Sequence, residues 1–208
     1  MSSGKAAHAG LNLGETDRAT HEQAEHDVFG FWVFLMSDAV IFALLFATYG
    51  VMLSGTAGGP GPADEYKIGP ACIETLILLT SSFTFGMASI AMKHGRTIRW
   101  VMAWLALTLL LGIVFLGMEL HDFSTMVADG AVPSRSGFLS SFFALVPLHG
   151  LHVLAGSVWI VVMMTQLLIF GRDPRVKINM LRLGLFWHFL DVIWVGIFSV
   201  VYLPGLTR

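Results

Sequence analysis

Five apolar segments, each long enough to cross a lipid bilayer as a helix, dominate this sequence. They lie at about 29–53, 71–92, 98–120, 138–170 and 183–203. A transmembrane helix needs about 20 mostly apolar residues, and a chain inside hydrocarbon must satisfy its backbone polar groups within its own helices or barrel. The segments therefore predict an all-α integral membrane bundle of five transmembrane helices.

The composition supports the same class. Of the 208 residues, 55% are hydrophobic and 12% are charged. The mean hydropathy of +0.74 lies far above that of a soluble domain. A formal net charge of −2 argues against a polybasic nucleic-acid binder, and the single cysteine can form neither an internal disulfide nor a thiolate cluster.

The connections between the segments are short and polar, so none can hold a separate domain. Residues 1–28 are predicted to form a polar N-terminal tail and residues 29–208 one five-helix membrane domain. The fourth segment would be about 50 Å long as a straight helix, so it must tilt, bend or protrude. Pro147 is the natural bend, because proline removes a helical backbone hydrogen bond.

Basic residues are distributed unequally between the two sides of the predicted bundle. The connections after the second and fourth segments carry seven lysines and arginines, and the other two connections carry one each, at Lys67 and Arg135. Basic connections face the cytoplasm in membrane proteins. The N-terminus is therefore predicted to be cytoplasmic. The seven residues are Lys93, Arg96, Arg99, Arg172, Arg175, Lys177 and Arg182.

Ionisable side chains inside the segments further limit what the chain can do. A charged group in hydrocarbon costs about 3 kcal/mol or more, so it must face protein or water. His188 and Asp191, three residues apart, share one helix face. By helical rise they could lie at the same depth as Asp38 and His152. The candidate buried polar residues are Asp38, Glu74, Glu119, His149, His152, His188 and Asp191.

Three interpretations of these residues remain open on spacing alone. They could form a hydrogen-bonded network that fixes helix packing. His152 and His188 could be the axial ligands of a di-histidine membrane cytochrome. Asp38, His188 and Asp191 could line the ion path of a stand-alone carrier or channel, although the segments lack the paired, interrupted helices of inverted-repeat transporters.

Small residues at helical spacing predict close approach between helix backbones. They occur in the second, third and fourth segments. The residues are Ser82, Gly86, Ser89, Gly112, Gly117, Gly150 and Gly156.

Several motifs resemble subunit III of the haem–copper oxidases. In chain order they are GFWVFLMSD at 30–38, SGFLSSFFA at 136–144, HGLHV at 149–153 and FWHFLDVIW at 186–194. The resemblance runs from about Phe29 to Pro204. Five segments rather than seven, together with the stretches at 54–60, 74–79 and 81–92, make the chain similar to the ubiquinol-oxidase branch of that family.

This resemblance implies an accessory role. The family's subunit III binds no redox cofactor, so no catalytic, cofactor-binding or metal-binding residue is expected in this chain. It packs against catalytic subunit I, which holds the haems and copper, alongside subunits II and IV in the bacterial inner membrane. The complex oxidises ubiquinol, reduces oxygen to water and pumps protons, and phospholipids are held beside subunit III.

The residues also argue against the other core roles in such a complex. A catalytic subunit with two haems and a copper centre needs six or more histidines spread over many helices, and the five segments hold fewer. A subunit with a copper centre in a soluble domain needs paired cysteine thiolates, whereas this chain has one cysteine. The resemblance also aligns Asp38 with the family's buried carboxylate in the corresponding helix.

Overall fold

In a computed structural model of the chain, residues 18–56 and 68–203 are described, and five long α-helices make up most of them. The helices are α1 Arg18–Met52, α2 Ile68–Lys93, α3 Ile98–Ala128, α4 Gly137–Phe170 and α5 Pro174–Ile197. Each is long and apolar enough to cross a membrane, so the predicted all-α class with five spans is confirmed. A 3₁₀ turn, Pro133–Arg135, precedes α4, and a π-helical turn, Phe198–Tyr202, continues α5.

The helices extend beyond several predicted limits. α3 continues to Ala128 rather than ending near 120, and α5 begins at Pro174 rather than 183. The missed turns carry charged residues, which lower local hydropathy without preventing a helix. At the start of α5, the Asp173 side chain accepts a hydrogen bond from the backbone N–H of Arg175 at 2.9 Å, and proline at the first position suits a helix start.

The N-terminal boundary also differs in detail, because α1 begins at Arg18, inside the predicted tail. The rest of that tail, 1–17, lies outside the described residues. So do 57–67, which hold most of the Gly/Pro-rich first connection, and 204–208. α4 runs as one helix through Pro147, and the bend there stays a prediction, as do the tail–domain division and the cytoplasmic N-terminus.

Two antiparallel helix hairpins, α2–α3 and α4–α5, form most of the bundle. α4 also packs on α1 and α3, and α5 packs on α1 and α2. Two buried tryptophans of α5 hold the hairpins together. The indole N–H of Trp187 donates to Ser81 Oγ at 3.1 Å, and that of Trp194 donates to Thr75 Oγ1 at 3.1 Å. α5 is therefore bound to α2 by polar contacts as well as by packing.

The small residues divide into two groups. An added Cβ at Gly112 would lie 3.1 Å from the Trp187 ring, and one at Gly156 would lie 3.0 Å from it. These glycines make room for a large buried ring, whereas the predicted close approach between backbones stays a prediction. An added Cβ at Gly86 or Gly117 would meet nothing within 4 Å. For these two the predicted close approach within the chain is wrong, because their backbones face outward from the bundle.

Candidate functional site

The first polar pair joins α1 to α4 at the middle of both spans. His152 Nε2 lies 3.3 Å from Asp38 Oδ1, and His152 Nδ1 lies 2.7 Å from the backbone oxygen of Leu148. A carbonyl can only accept, so Nδ1 carries a proton. Nε2 faces the carboxyl oxygen of Asp38, so the pair links α1 to α4 by a polar contact.

The second polar group joins α2 to α5. His188 Nδ1 lies 2.7 Å from Ser82 Oγ and 3.6 Å from Asp191 Oδ2. The ring also meets Phe85 edge-on, with centroids 6.0 Å apart. Asp191 is 7% exposed, whereas the His188 side chain is 51% exposed. His188 thus lies on the outer face of the bundle, midway along the span Pro174–Tyr202.

A third group of polar residues lies away from these two, toward the opposite end of the bundle from the basic turns. Glu74 of α2 and Glu119 of α3 are 2% and 4% exposed, and they interact electrostatically with each other and with Asp122. The Glu119 carboxyl fills the space in front of Gly150, where no Cβ would fit. We refer to Glu74, Glu119 and Asp122 as the carboxyl cluster.

His149, next to Gly150 in α4, is fully buried. Its ring is 5.9 Å from the Phe115 ring and 5.3 Å from Trp194, measured between centroids. Neither ring nitrogen of His149 has a hydrogen-bond partner among the described residues, nor does one oxygen each of Glu74 and Glu119. Buried polar atoms of this kind are costly, so simple packing does not account for them.

The arrangement gives no support to a haem or metal centre. No group of three or more His, Cys, Asp or Glu side chains within 18–56 and 68–203 is placed to hold a metal ion. Both nitrogens of His152 face partners inside the chain, so this ring offers no free nitrogen to iron. What the polar groups do in this structure is link helices by polar contacts.

The structure thus distributes the seven candidate residues over separate places. Asp38 pairs with His152, and His188 with Asp191. Glu74 and Glu119 lie together elsewhere, and His149 is buried among aromatic rings. His152 is half-buried and His188 is exposed, in contrast to the predicted burial, because each faces the side of its helix that neighbouring helices leave partly uncovered.

Sequence reasoning missed the hydroxyl partners of this network. Ser82 was grouped only with small packing residues, yet its hydroxyl contacts His188, 106 positions away. Thr84 and Thr108 form another link, with hydroxyl oxygens 2.8 Å apart between α2 and α3. Polar residues inside an apolar helix were a usable signal, but their partners depend on how the helices rotate against each other.

Comparison with known proteins agrees with the fold. Residues 14–206 match the family described as Cytochrome c oxidase subunit III. Cytochrome bo(3) ubiquinol oxidase subunit 3 of Pseudomonas putida is 48% identical over 186 residues, covering 89% of each chain. The protein of the same name in Pseudomonas aeruginosa is 46% identical over 193 residues, covering 93% of this chain and 92% of its own length. Quinol oxidase subunit 3 of Bacillus subtilis is 42% identical over 185 residues, covering 89% and 90% respectively.

The fold and the polar groups define a multi-pass membrane protein whose described part has hydrogen-bonding pairs but no arranged metal site. The family match extends over nearly the whole chain, and the relatives cover it at well above 30% identity. The chain belongs to the cytochrome c oxidase subunit III family.

Proposed function

We propose that this chain is the accessory, non-catalytic subunit III of a proton-pumping terminal ubiquinol oxidase in the bacterial inner membrane. The complex would oxidise ubiquinol and reduce oxygen to water. Support comes from the relatives, which are named as subunit 3 of ubiquinol or quinol oxidases. The haems and copper would belong to catalytic subunit I, with subunits II and IV completing the assembly.

The observation that carries this proposal is the exposure of His188. Its side chain is 51% exposed midway along α5, at a depth where lipid would surround a free-standing bundle. An ionisable side chain at that depth normally faces protein or water. A protein neighbour that covers the His188 face would remove the conflict, and subunit I is the neighbour that the family supplies.

A helix of the same neighbour could pack closely against Gly86 on the outer side of α2. Gly86 has no atom of this chain within 4 Å of the position of an added Cβ, and it lies one turn from Ser82, the partner of His188. Small residues let helices from different chains approach closely. We therefore place the contact with subunit I on the face of α2 and α5 that carries Ser82, Gly86 and His188.

Stabilisation of subunit I and phospholipid binding form the rest of the proposed role. α1 exposes large apolar side chains along its length, including Phe29, Val40 and Leu44 at 69%, 59% and 64%. Such a face must meet lipid or another helix. The basic turns after α2 and α4 would lie beside the proton-uptake surface, where their charge can influence proton delivery.

The carrier interpretation is less well supported by the contacts. Asp38 pairs with His152 on α4, while His188 and Asp191 contact Ser82 on α2. Within 18–56 and 68–203, no hydrogen bond or ion pair joins the two pairs, and the ring of Phe42 stands beside His152 with centroids 5.3 Å apart. The described residues thus form two separate links between helices rather than one continuous path.

Co-purification tests the proposal directly. The tagged chain is extracted from its own membrane in mild detergent, and the captured material is examined for a haem-containing partner. We expect a large subunit with oxidase haem absorbance to be captured. His188→Leu should weaken that capture, because it removes the polar contact across the interface. Leu168→Ala, at an exposed apolar position on α4, is the control and should leave it intact. Capture of the chain without any haem protein would overturn the proposal.

A further inference from the structure

A groove lies on the surface of the α2–α3 hairpin beside the turn that joins the two helices. Its volume is about 490 Å³, within the range of about 300–1,000 Å³ that is typical of small-molecule sites. One wall comes from the last two turns of α2 and the other from the first two turns of α3. We call it the turn groove.

The end of the turn groove that lies at the turn between α2 and α3 is polar and basic. Arg96, in the turn itself, lines the groove, is exposed, and makes no ion pair within 18–56 and 68–203. His94 lines it too, with Nδ1 already 3.0 Å from the backbone oxygen of Ile90. Arg172 crosses from the next basic turn and donates to the carbonyl of Gly95 at 3.0 Å. Two guanidinium groups, those of Arg96 and Arg172, therefore lie at this end, and no described carboxylate neutralises Arg96.

The part of the turn groove that lies further from the turn is apolar. Met87, Ile90 and Ala91 form the α2 wall, and Trp100 and Trp104, one helical turn apart, form the α3 wall. Ile90 and Trp100 are 52% and 59% exposed. Tryptophan favours the boundary between hydrocarbon and water, where its ring lies at the level of the lipid headgroups. The groove is thus basic at the turn and lined further along the two helices by two indoles and three smaller apolar side chains.

We propose that the turn groove binds an acidic phospholipid, with the phosphate at Arg96 and an acyl chain along Met87 and Ile90. Arginine matches phosphate oxygens with two parallel N–H donors, and basic pockets at the ends of transmembrane helices bind acidic headgroups. A quinol headgroup is uncharged and would leave Arg96 without a partner. The inference rests on the lipid-binding part of the proposed function and gives it a site and a lipid class.

Fluorescence quenching tests this site on the purified full chain. The chain is reconstituted in phosphatidylcholine vesicles that contain phosphatidylglycerol brominated in its acyl chains, or brominated phosphatidylcholine instead. Bromine quenches indoles only at contact range. The groove signal is the part of the quenching that is lost in a Trp100→Phe/Trp104→Phe variant. We expect brominated phosphatidylglycerol to produce this signal at a several-fold lower mole fraction in the vesicle than brominated phosphatidylcholine requires.

Charge variants then locate the headgroup. Arg96→Gln should reduce the preference for phosphatidylglycerol about fivefold, the effect of one basic residue at a membrane surface, and Arg96→Lys should restore most of it. The matched control is Arg99→Gln, which removes the same charge three positions away but does not line the groove. It should change the preference by less than about twofold. If Arg96→Gln and Arg99→Gln reduced the preference for phosphatidylglycerol equally, general surface charge would explain that preference. This result would overturn the proposal.

Two further measurements distinguish a bound lipid from other occupants of the turn groove. Inorganic phosphate that abolishes the preference at millimolar concentration would show a simple anion site, which contradicts a lipid site. Repeating the measurement on the assembled oxidase shows whether another subunit covers the groove, and loss of the groove signal there would also overturn the proposal. Failure to co-purify with a haem subunit would contradict the proposed function instead, while the vesicle result on the chain alone would still stand.

Discussion

At the residue scale, Asp191 combines burial with a polar contact that joins two helices. Its carboxyl is 7% exposed and lies 3.6 Å from the ring of His188, which contacts Ser82 on α2. We expect Asp191→Asn to assemble with its oxidase partner better than Asp191→Leu does. The amide keeps size and polarity, whereas leucine removes the polar group that lies 3.6 Å from the His188 ring. The measurement is the amount of this subunit recovered per haem in the purified complex.

The same pair of variants separates a structural from a proton-carrying role. If Asp191 only holds helices together, proton pumping per oxygen reduced should be normal in every complex that contains Asp191→Asn. Equal recovery of the two variants, together with loss of pumping in Asp191→Asn, would instead favour a proton path.

Gly150 offers a second residue-scale prediction. An added Cβ there would overlap the buried carboxyl of Glu119, which has little space to move away. Gly150→Ala should therefore lower stability by about 1–3 kcal/mol, the usual effect of overpacking. Gly86→Ala is the matched control, because an added Cβ there meets nothing within 4 Å. The measurement is the thermal unfolding midpoint of the isolated chain in detergent.

A double variant shows whether the carboxyl is the cause. Combining Gly150→Ala with Glu119→Ala should recover part of the lost stability, because residues in contact are not additive. Equal midpoints for Gly150→Ala and Gly86→Ala would contradict the packing described here.

At the scale of the helices, orientation in the membrane is the property most open to test. We expect a reporter fused after Gly95 or Arg175 to read cytoplasmic, and one fused within 56–62 or 126–132 to read periplasmic. The reason is the seven basic residues in or beside the former two connections against two in the latter pair. Fusions at successive connections control for each other, because five spans require the readout to alternate. A periplasmic readout at Arg175 would contradict this topology.

Helix existence and helix contacts were not equally predictable. Hydropathy alone identified all five helices, since a bilayer requires about 20 apolar residues in each. Hydropathy underestimated the lengths of α3 and α5, because their terminal turns are charged and yet remain helical. The start of α5 carried a readable signal in Asp173 and Pro174, which an apolar window ignores. Helix ends therefore need capping residues as well as hydropathy.

Partners across helices were less accessible from sequence. Depth follows from counting helical rise, and it correctly brought Asp38 and His152 to one level. Which face of each helix turns inward depends on tertiary packing. That is why Gly112 packs on Trp187 while Gly117, five positions later, faces outward. The Glu119–Gly150 contact and the Ser82–His188 contact depend on the same rotation, so neither could be predicted from spacing.

At the scale of the whole molecule, the polar groups form links between helices and leave His188, midway along α5, on the outer face. A bundle that existed alone in lipid would gain from an apolar residue there. The family match and the open space beside Gly86 of α2 point in the same direction. The chain is therefore best understood as one part of a larger membrane assembly, whose chemistry takes place in its partner.

This view predicts what an oxidase loses when the chain is removed. The haem spectrum and the initial rate of quinol oxidation should stay within about a few-fold of normal, because the subunit contributes no group to oxygen chemistry in the proposed role. The complex should lose activity faster over repeated catalytic cycles. Removing five packed helices exposes apolar surface of the catalytic subunit and releases the lipids held between them, and apolar surface without cover favours aggregation and unfolding.

The measurement follows haem content and turnover of the purified complex, with and without this subunit, over repeated catalytic cycles. Adding back the purified chain is the control, and it should restore durability without changing the initial rate. Adding back His188→Leu should restore it less well, since that variant lacks the polar group on the proposed contact face. A haem signal that disappears at once on removal, while the catalytic subunit stays folded, would show that this chain holds a cofactor. That result would contradict the accessory role.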